Sequence, residues 1–242
     1  MEPYLSIVIP AWREARRLPA ALRALGEYDW QGRGVEVLIV VEQSPDGTLE
    51  LARELAAQQA HSSLHFSVID NGPQIGKGHA VRSGMLAARG AIVFYMDADL
   101  SVPLVEIDAF LRYFEGHPEA AVVVGNRQHP NSRITKSQAW LRRSMGQTFN
   151  RLLSALALTE IRDTQCGFKA FRREAAQAIF SRQRVNGFAF DVEVLMLAHR
   201  LRFTVRDLPV EWRNSPDSRV SIVRDSLRML WDAVKIRVGG GA

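Results

Sequence analysis

The sequence is short of several things, and each shortage narrows what the chain can be. It holds one cysteine, Cys166, among 242 residues. No internal disulfide can form, so a reducing compartment is the natural setting. No apolar run approaches the ~20 residues of a membrane-spanning helix. The opening Met1-Glu2-Pro3, followed by a short apolar stretch ending at Pro10, lacks the basic lead and apolar core of a secretory signal. A cytoplasmic protein is expected, soluble or peripheral on the cytoplasmic face of a membrane. The histidines show no metal-ligand spacing, so His79 and His129 receive no role. Neither an aromatic-plus-basic sheet motif nor a recognition helix is present, which argues against nucleic acid as a partner. No repeat, low-complexity tract or linker divides the chain. One domain over residues 1–238 is expected, with 239–242 a disordered tail.

What is present begins with charge. The formal net charge is +5, and its excess is uneven. Residues 126–159 contain Arg127, Arg133, Lys136, Arg142, Arg143 and Arg151 and no acidic residue. Such a stretch faces an anion, a lipid head group, or water. The apolar pattern alternates between two periods. Continuous apolar runs at residues 5–9, 35–41, 64–69, 91–96 and 120–125 read as strands. Helical spacing fills 16–28, 48–60, 76–88 and 103–115. This β-α rhythm predicts an α/β fold with a mostly parallel central sheet flanked by helices. Beyond it, 138–158 and 220–238 read as amphipathic helices, 190–201 as a helix, 163–171 as a loop and short strand, and 204–212 as a strand.

Ligands of parallel sheets bind beyond the carboxyl ends of the strands. Polar or charged residues cluster at four such ends: 10–14, 41–46, 70–77 and 97–101. The strongest local signal is Tyr95-Met96-Asp97-Ala98-Asp99-Leu100. Two carboxylates two residues apart at a strand end can face one hard cation, so Mg²⁺ or Mn²⁺ is the expected cofactor. Such an ion neutralises charge on a leaving diphosphate. Gly76-Lys77-Gly78 lies at a helix start, where amides and a lysine suit a phosphate. It is not a Walker loop, because Gly78 stands where Ser or Thr is required. Arg82 follows about one turn later. Cys166, with no histidine nearby in sequence, reads as a small packed residue.

Together these segments resemble family 2 inverting glycosyltransferases of GT-A fold. The likeness runs through residues 5–14, the turn 42–48, Gly76-Lys77-Gly78 with Ala80-Val81-Arg82, and Asp97-Ala98-Asp99. Val124-Gly125-Asn126-Arg127, the string from Arg162 to Phe171 (Arg-Asp-Thr-Gln-Cys-Gly-Phe-Lys-Ala-Phe) and Gly187-Phe188-Ala189-Phe190-Asp191-Val192-Glu193 look like the dolichyl-phosphate β-glucosyltransferase branch. The resemblance implies that Pro10, Ala11 and Glu14 border the nucleoside, with Glu42 and Asp70 on its base or ribose. Lys77 and Arg82 would lie along the nucleotide or its phosphates, and Asp97 and Asp99 would serve diphosphate and metal. Arg127 and Arg219 would meet acceptor or donor phosphate. Gln165, Gly167 and Lys169 would line the sugar pocket, and Asp191 falls where the fold often places a catalytic carboxylate. Residues 1–125 then form the nucleotide-binding half and 126–238 the acceptor-binding half.

Two segments depart from the family's pattern. Trp12-Arg13-Glu14 replaces Tyr-Asn-Glu, and Val41-Glu42-Gln43 replaces two adjacent acids and a glycine. A UDP-sugar is the favoured donor, with a GDP-sugar the alternative. The expected reaction moves a hexose, glucose or mannose, onto a polyprenyl or dolichyl phosphate. An ionised phosphate oxygen needs no strong base. A hydroxyl acceptor needs a carboxylate to take its proton, and Asp191, then Glu193, are the candidates. The lipid acceptor makes contact of 138–158 with a membrane surface the favoured reading of that helix, against simple sheet packing. Packing is favoured for 220–238, where Asp225 and Asp232 dilute the positive charge. Rivals are a soluble family 2 transferase with a small hydroxyl acceptor, and a non-catalytic scaffold on a degenerate transferase fold. A sugar nucleotidyltransferase is disfavoured, because no Gly-rich loop follows the first strand. Oligomeric state is left open.

Overall fold

The computed structural model describes residues 2–58, 64–135, 161 and 163–213. The helices read at 138–158 and 220–238, and Arg219, fall outside these residues. The first half follows the expected rhythm: β1 (Leu5–Ala11), α1 (Leu18–Glu27), β2 (Val35–Val41), α2 (Thr48–Gln58), β3 (Leu64–Asp70), α3 (Lys77–Ala87), β4 (Ile92–Met96), α4 (Val105–Gly116) and β5 (Ala120–Asn126). Short β6 (Arg133–Ile134) follows, then β7 (Phe168–Arg172), α5 (Arg173–Phe180), α6 (Phe190–Arg200), β8 (Thr204–Pro209) and β9 (Glu211–Trp212).

Seven strands form one sheet in the order β3-β2-β1-β4-β7-β5-β8. All neighbours are parallel except β7, which runs antiparallel to both β4 and β5. A strand from the later part of the chain therefore sits in the middle of the sheet. The stretch read as one strand over 204–212 divides in two. β8 pairs with β5, and β9 crosses to a second small sheet with β6. The break falls at Pro209-Val210, where proline has no N–H to continue a ladder and the Val210 N–H donates to Ser132 Oγ.

Alternation along the strands explains the two cores. On one face Leu5, Ile7, Ile9, Val37, Ile39, Phe94 and Met96 pack with Leu18, Leu22 and Leu25 of α1 and Ile107, Phe110 and Phe114 of α4. On the other, Val8, Leu38, Val40, Val93 and Tyr95 pack with α3, α5 and α6 through Val81, Met85, Ile179, Phe180, Phe190 and Val194. The carboxyl ends of β1 and β4 lie side by side; from β1 the chain runs to β2 and from β4 to β5, in opposite directions across the sheet, with α1 and α4 on the same face. This is the topological switch point where parallel α/β sheets bind ligands.

Candidate active site

Asp97 follows the last residue of β4, on the face that Tyr95 shares. Its Oδ1 accepts from the Lys77 ammonium at 2.6 Å, and its side chain is 43% exposed. Lys77 arrives from the start of α3. Burial alone would lower the Lys77 pKa, but Asp97, with Asp191 and Asp99 behind it, holds it above the ordinary lysine value. Asp99 Oδ1 caps the Ser101 N–H at 3.0 Å, and its Oδ2 lies 3.8 Å from Arg17. Arg17 is gripped at two points by Glu14, at 2.6 and 2.5 Å. Each aspartate thus has a cation of the chain beside it.

Gly167 presses on this corner. A Cβ there would meet Asp97 Oδ2 at 2.3 Å, so any side chain at this position must displace the carboxylate. Two buried ion pairs hold the surrounding loop. Arg127 grips Asp163 at 2.7 and 2.8 Å, and its own N–H donates to the same carboxylate. Asp163 is fully buried. Burial would raise its pKa, but the Arg127 guanidinium lowers it below the ordinary aspartate value. Lys169, also fully buried, donates to the Cys166 carbonyl at 2.7 Å and to Asp191. The Tyr95 hydroxyl donates to the same Asp191 oxygen at 2.5 Å. Asp191 is 3% exposed. Cys166 is packed and inert, with burial pushing its thiol up to about 12.

Glu42 is buried at the end of β2. Its carboxylate accepts from the backbone N–H groups of Ile75 and Gly76 at 3.1 and 2.9 Å, and lies 3.4 Å from His79 Nδ1. The Gly78 and His79 N–H groups donate to the Asn186 carbonyl. Most of the α3 first-turn amides, read from sequence as a phosphate cradle, are therefore engaged within the protein. What remains for an external anion there is the Lys77 ammonium. Gly76 is required at this junction: its φ is +144°, and a Cβ would lie 2.5 Å from the Asn186 carbonyl oxygen.

The other expected residues divide by position. Pro10 and Ala11 end β1 against β2, where the Glu42 N–H donates to the Ala11 carbonyl. Asp70 ends β3 and pairs with Arg53 at 3.2 Å on the surface. Arg82 turns away from Lys77, and its Nε donates to the Phe180 carbonyl at the end of α5. The Gln165 amide nitrogen and the Thr164 hydroxyl are buried without a hydrogen-bond partner. Glu193 points away from Asp191 and accepts from the Arg184 and Val185 amides; burial raises its pKa. Lys77, Asp97, Asp99, Gly167, Lys169 and Asp191 are thus brought to one corner. Sequence reasoning missed Arg17 and Tyr95. The Glu14–Arg17 spacing of three residues on a helical turn was the available signal for the first. Shared parity with Asp97 on one strand was the signal for the second.

Residues 6–180 match the profile of the Glycosyl transferase family 2 domain. The chain is a family 2 glycosyltransferase. The transferase is 31% identical over 250 residues to the dolichyl-phosphate beta-glucosyltransferase of Saccharomyces cerevisiae, covering 98% of this chain and 75% of that one. It is 30% identical over 244 residues to the enzyme of the same name from Homo sapiens, covering 97% and 75%. Among solved structures it resembles glucosyl-3-phosphoglycerate synthase from Mycobacterium tuberculosis in complex with uridine-diphosphate. There the TM-score is 0.67 at 18% identity, with 98% of this chain and 80% of that chain covered. Its likeness to mannosyl-3-phosphoglycerate synthase from Rubrobacter xylanophilus has a TM-score of 0.64 at 18% identity, covering 98% and 73%. The α/β GT-A architecture expected from the sequence is therefore borne out.

Proposed function

We propose that this transferase moves glucose from a nucleoside-diphosphate sugar, UDP-glucose first, to a dolichyl or polyprenyl phosphate with inversion at the anomeric carbon. One observation carries the reading. The carboxylates best placed to act as a base, Asp191 and Glu193, are buried and hydrogen-bonded inside the protein, whereas Asp97 and Lys77 are open to a diphosphate. A site of this kind suits an acceptor that is already an anion and needs no proton removed. The names of the relatives, which state transfer of glucose to dolichyl phosphate, support the same acceptor.

The donor set suits a hard divalent cation. Asp97 and Asp99 offer only oxygen, Asp97 is half-exposed, and a cation, the Lys77 ammonium, already sits against it. Among the described residues no third histidine, cysteine or acid joins them. Mg²⁺ or Mn²⁺ would therefore be held by these two carboxylates and complete its shell with phosphate oxygens and water. When bound, such an ion neutralises charge on the leaving diphosphate. One structural neighbour, glucosyl-3-phosphoglycerate synthase, is recorded with Mn²⁺ and UDP-glucose, which supports this choice of metal and donor.

The chain's own residues do the rest. Lys77 meets the diphosphate, and Arg17 keeps Glu14 and Asp99 in fixed relation across the ends of β1 and β4. Lys169 and Tyr95 fix Asp191, which through Lys169 and the Cys166 carbonyl positions Gly167 over Asp97. Gln165, with its buried unpaired amide nitrogen, can donate to a sugar or phosphate oxygen that enters the pocket. Residues 1–125 then serve the nucleotide and 126–238 the acceptor, and the segment 138–158 is the one proposed to contact an anionic membrane surface. No helix among the described residues is long and apolar enough to cross a membrane. Flotation with anionic vesicles at low salt tests the contact, and a protein that stays at the bottom refutes it. The activity is tested by incubating UDP- and GDP-sugars with Mn²⁺ and a polyprenyl phosphate and measuring nucleoside diphosphate release. Release from UDP-glucose that depends on the lipid phosphate is expected. Release that depends only on small hydroxylated acceptors would favour the small-acceptor reading.

A further inference from the structure

The Asp97–Asp99 pair carries internal cations on both carboxylates, but the two are held differently. Arg17 has a two-point grip on Glu14 at 2.6 and 2.5 Å and stands 3.8 Å from Asp99, beyond hydrogen-bonding distance. It is anchored elsewhere and stays where it is. Lys77 touches Asp97 directly at 2.6 Å. Among the described residues no other hydrogen bond or ion pair holds its ammonium. Its stem is unbranched and flexible, and its side chain keeps 19% exposure. The Ile75, Gly76, Gly78 and His79 amides around it are engaged by Glu42 and Asn186, so an anion arriving at the start of α3 meets Lys77.

We infer that Lys77 is a placeholder cation on Asp97 that moves to the donor's diphosphate when a divalent ion takes its place, so that metal and nucleotide bind with positive coupling. The inference rests on the nucleotide-sugar reading above. The physics is a competition. A metal binding alone must displace Lys77 from Asp97 and leave its ammonium in a confined corner without an anion. A nucleoside diphosphate binding alone meets a lysine already neutralised by Asp97. When both bind, each charge has a partner: the metal has Asp97 and Asp99, and Lys77 has a phosphate. Linkage requires the effect to be reciprocal, and couplings of this kind are roughly 5–150-fold.

The test measures Mn²⁺ binding by the loss of the free Mn²⁺ electron paramagnetic resonance signal, with and without UDP. It uses the full-length protein and its Lys77→Met and Lys77→Arg variants. Circular dichroism confirms folding, which should survive because Asp97 is half-exposed. For the wild type, UDP should tighten Mn²⁺ binding by about tenfold or more. Lys77→Met should bind Mn²⁺ alone several-fold more tightly than wild type, bind UDP more weakly, and show a smaller coupling, keeping only the part that comes from phosphate oxygens on the metal. Lys77→Arg, which keeps the cation, should keep more of the coupling than Lys77→Met. If Lys77→Met binds Mn²⁺ alone no more tightly than wild type while UDP still strengthens binding to both, the placeholder role is wrong but the donor site stands. If the wild type binds no UDP at any Mn²⁺ concentration, the donor-site reading fails and this inference falls with it.

Discussion

Replacing Lys169 by methionine should destabilise the protein severely, and mainly through Asp191. Lys169 is fully buried on β7, opposite Tyr95 in the sheet register. Methionine preserves the apolar stem but removes the ammonium. Asp191, 3% exposed, would keep the Tyr95 hydroxyl but lose its cation, and the Cys166 carbonyl would lose its donor. Removing one member of a buried ion pair costs about 3–5 kcal/mol. The loss comes from a carboxylate stranded in the interior without its cation, so the penalty is greatest near neutrality and shrinks in acid, where carboxylates become neutral. Urea unfolding at pH 7 and pH 5, followed by tryptophan fluorescence, measures both quantities. The double variant Lys169→Met/Asp191→Asn should recover most of the loss at pH 7, because no stranded charge remains. It should still bind UDP poorly, because the Cys166 carbonyl and hence Gly167 have lost their tie. A single-variant cost below about 1 kcal/mol, or a penalty that does not change with pH, would refute this reasoning.

Further predictions concern the metal corner and the far end of the sheet. Gly167→Ala should leave the fold intact, because the side chain would meet the movable end of Asp97 at 2.3 Å rather than backbone. Mn²⁺·UDP affinity should fall several-fold with little change in melting temperature, and a variant with wild-type affinity would contradict the contact. Glu36, buried between Ser6 and Arg89, has its pKa lowered: burial opposes ionisation, but hydrogen bonds from the Ser6 hydroxyl and the Arg89 amide and guanidinium win. A lowered carboxylate pKa stabilises the fold above the ordinary glutamate range, and that stability is lost as pH falls through the folded-state value. Glu36→Gln should therefore cost about 1–3 kcal/mol at pH 7, with the gap from wild type closing below about pH 4.3. A gap that is constant with pH in denaturation series would show that Glu36 is not the linked group.

The legible and illegible parts of this protein have physical causes. Strands β1, β2 and β4 are buried on both faces, so they appear in the sequence as continuous apolar runs, and their ends were read to within two residues. β7 contains Lys169, which ordinarily argues against a central strand; only Asp191, 22 residues later, makes that lysine tolerable there. Helix α5 was legible though the sequence reading omits it: Ala175, Ala176, Ile179 and Phe180 stand at helical spacing and form its buried face. Asp97 and Asp99 stood out because they end a strand. Their cations did not, because Lys77 reaches Asp97 only through the strand order β3-β2-β1-β4, which periodicity does not contain. Likewise nothing in the linear order shows that Glu42 is turned to the Ile75 and Gly76 amides.

The corner formed by Asp97, Lys77 and a buried Asp191 predicts a transferase whose acceptor is an anion. The most direct test compares dolichyl phosphate with free dolichol, each supplied with radiolabelled UDP-glucose and Mn²⁺, and measures label in the lipid phase across pH 6 to 9. Transfer to dolichyl phosphate alone, abolished by Asp97→Asn, is the expected result. Label on free dolichol at a comparable rate, rising with pH as a hydroxyl-activating base is deprotonated, would contradict it.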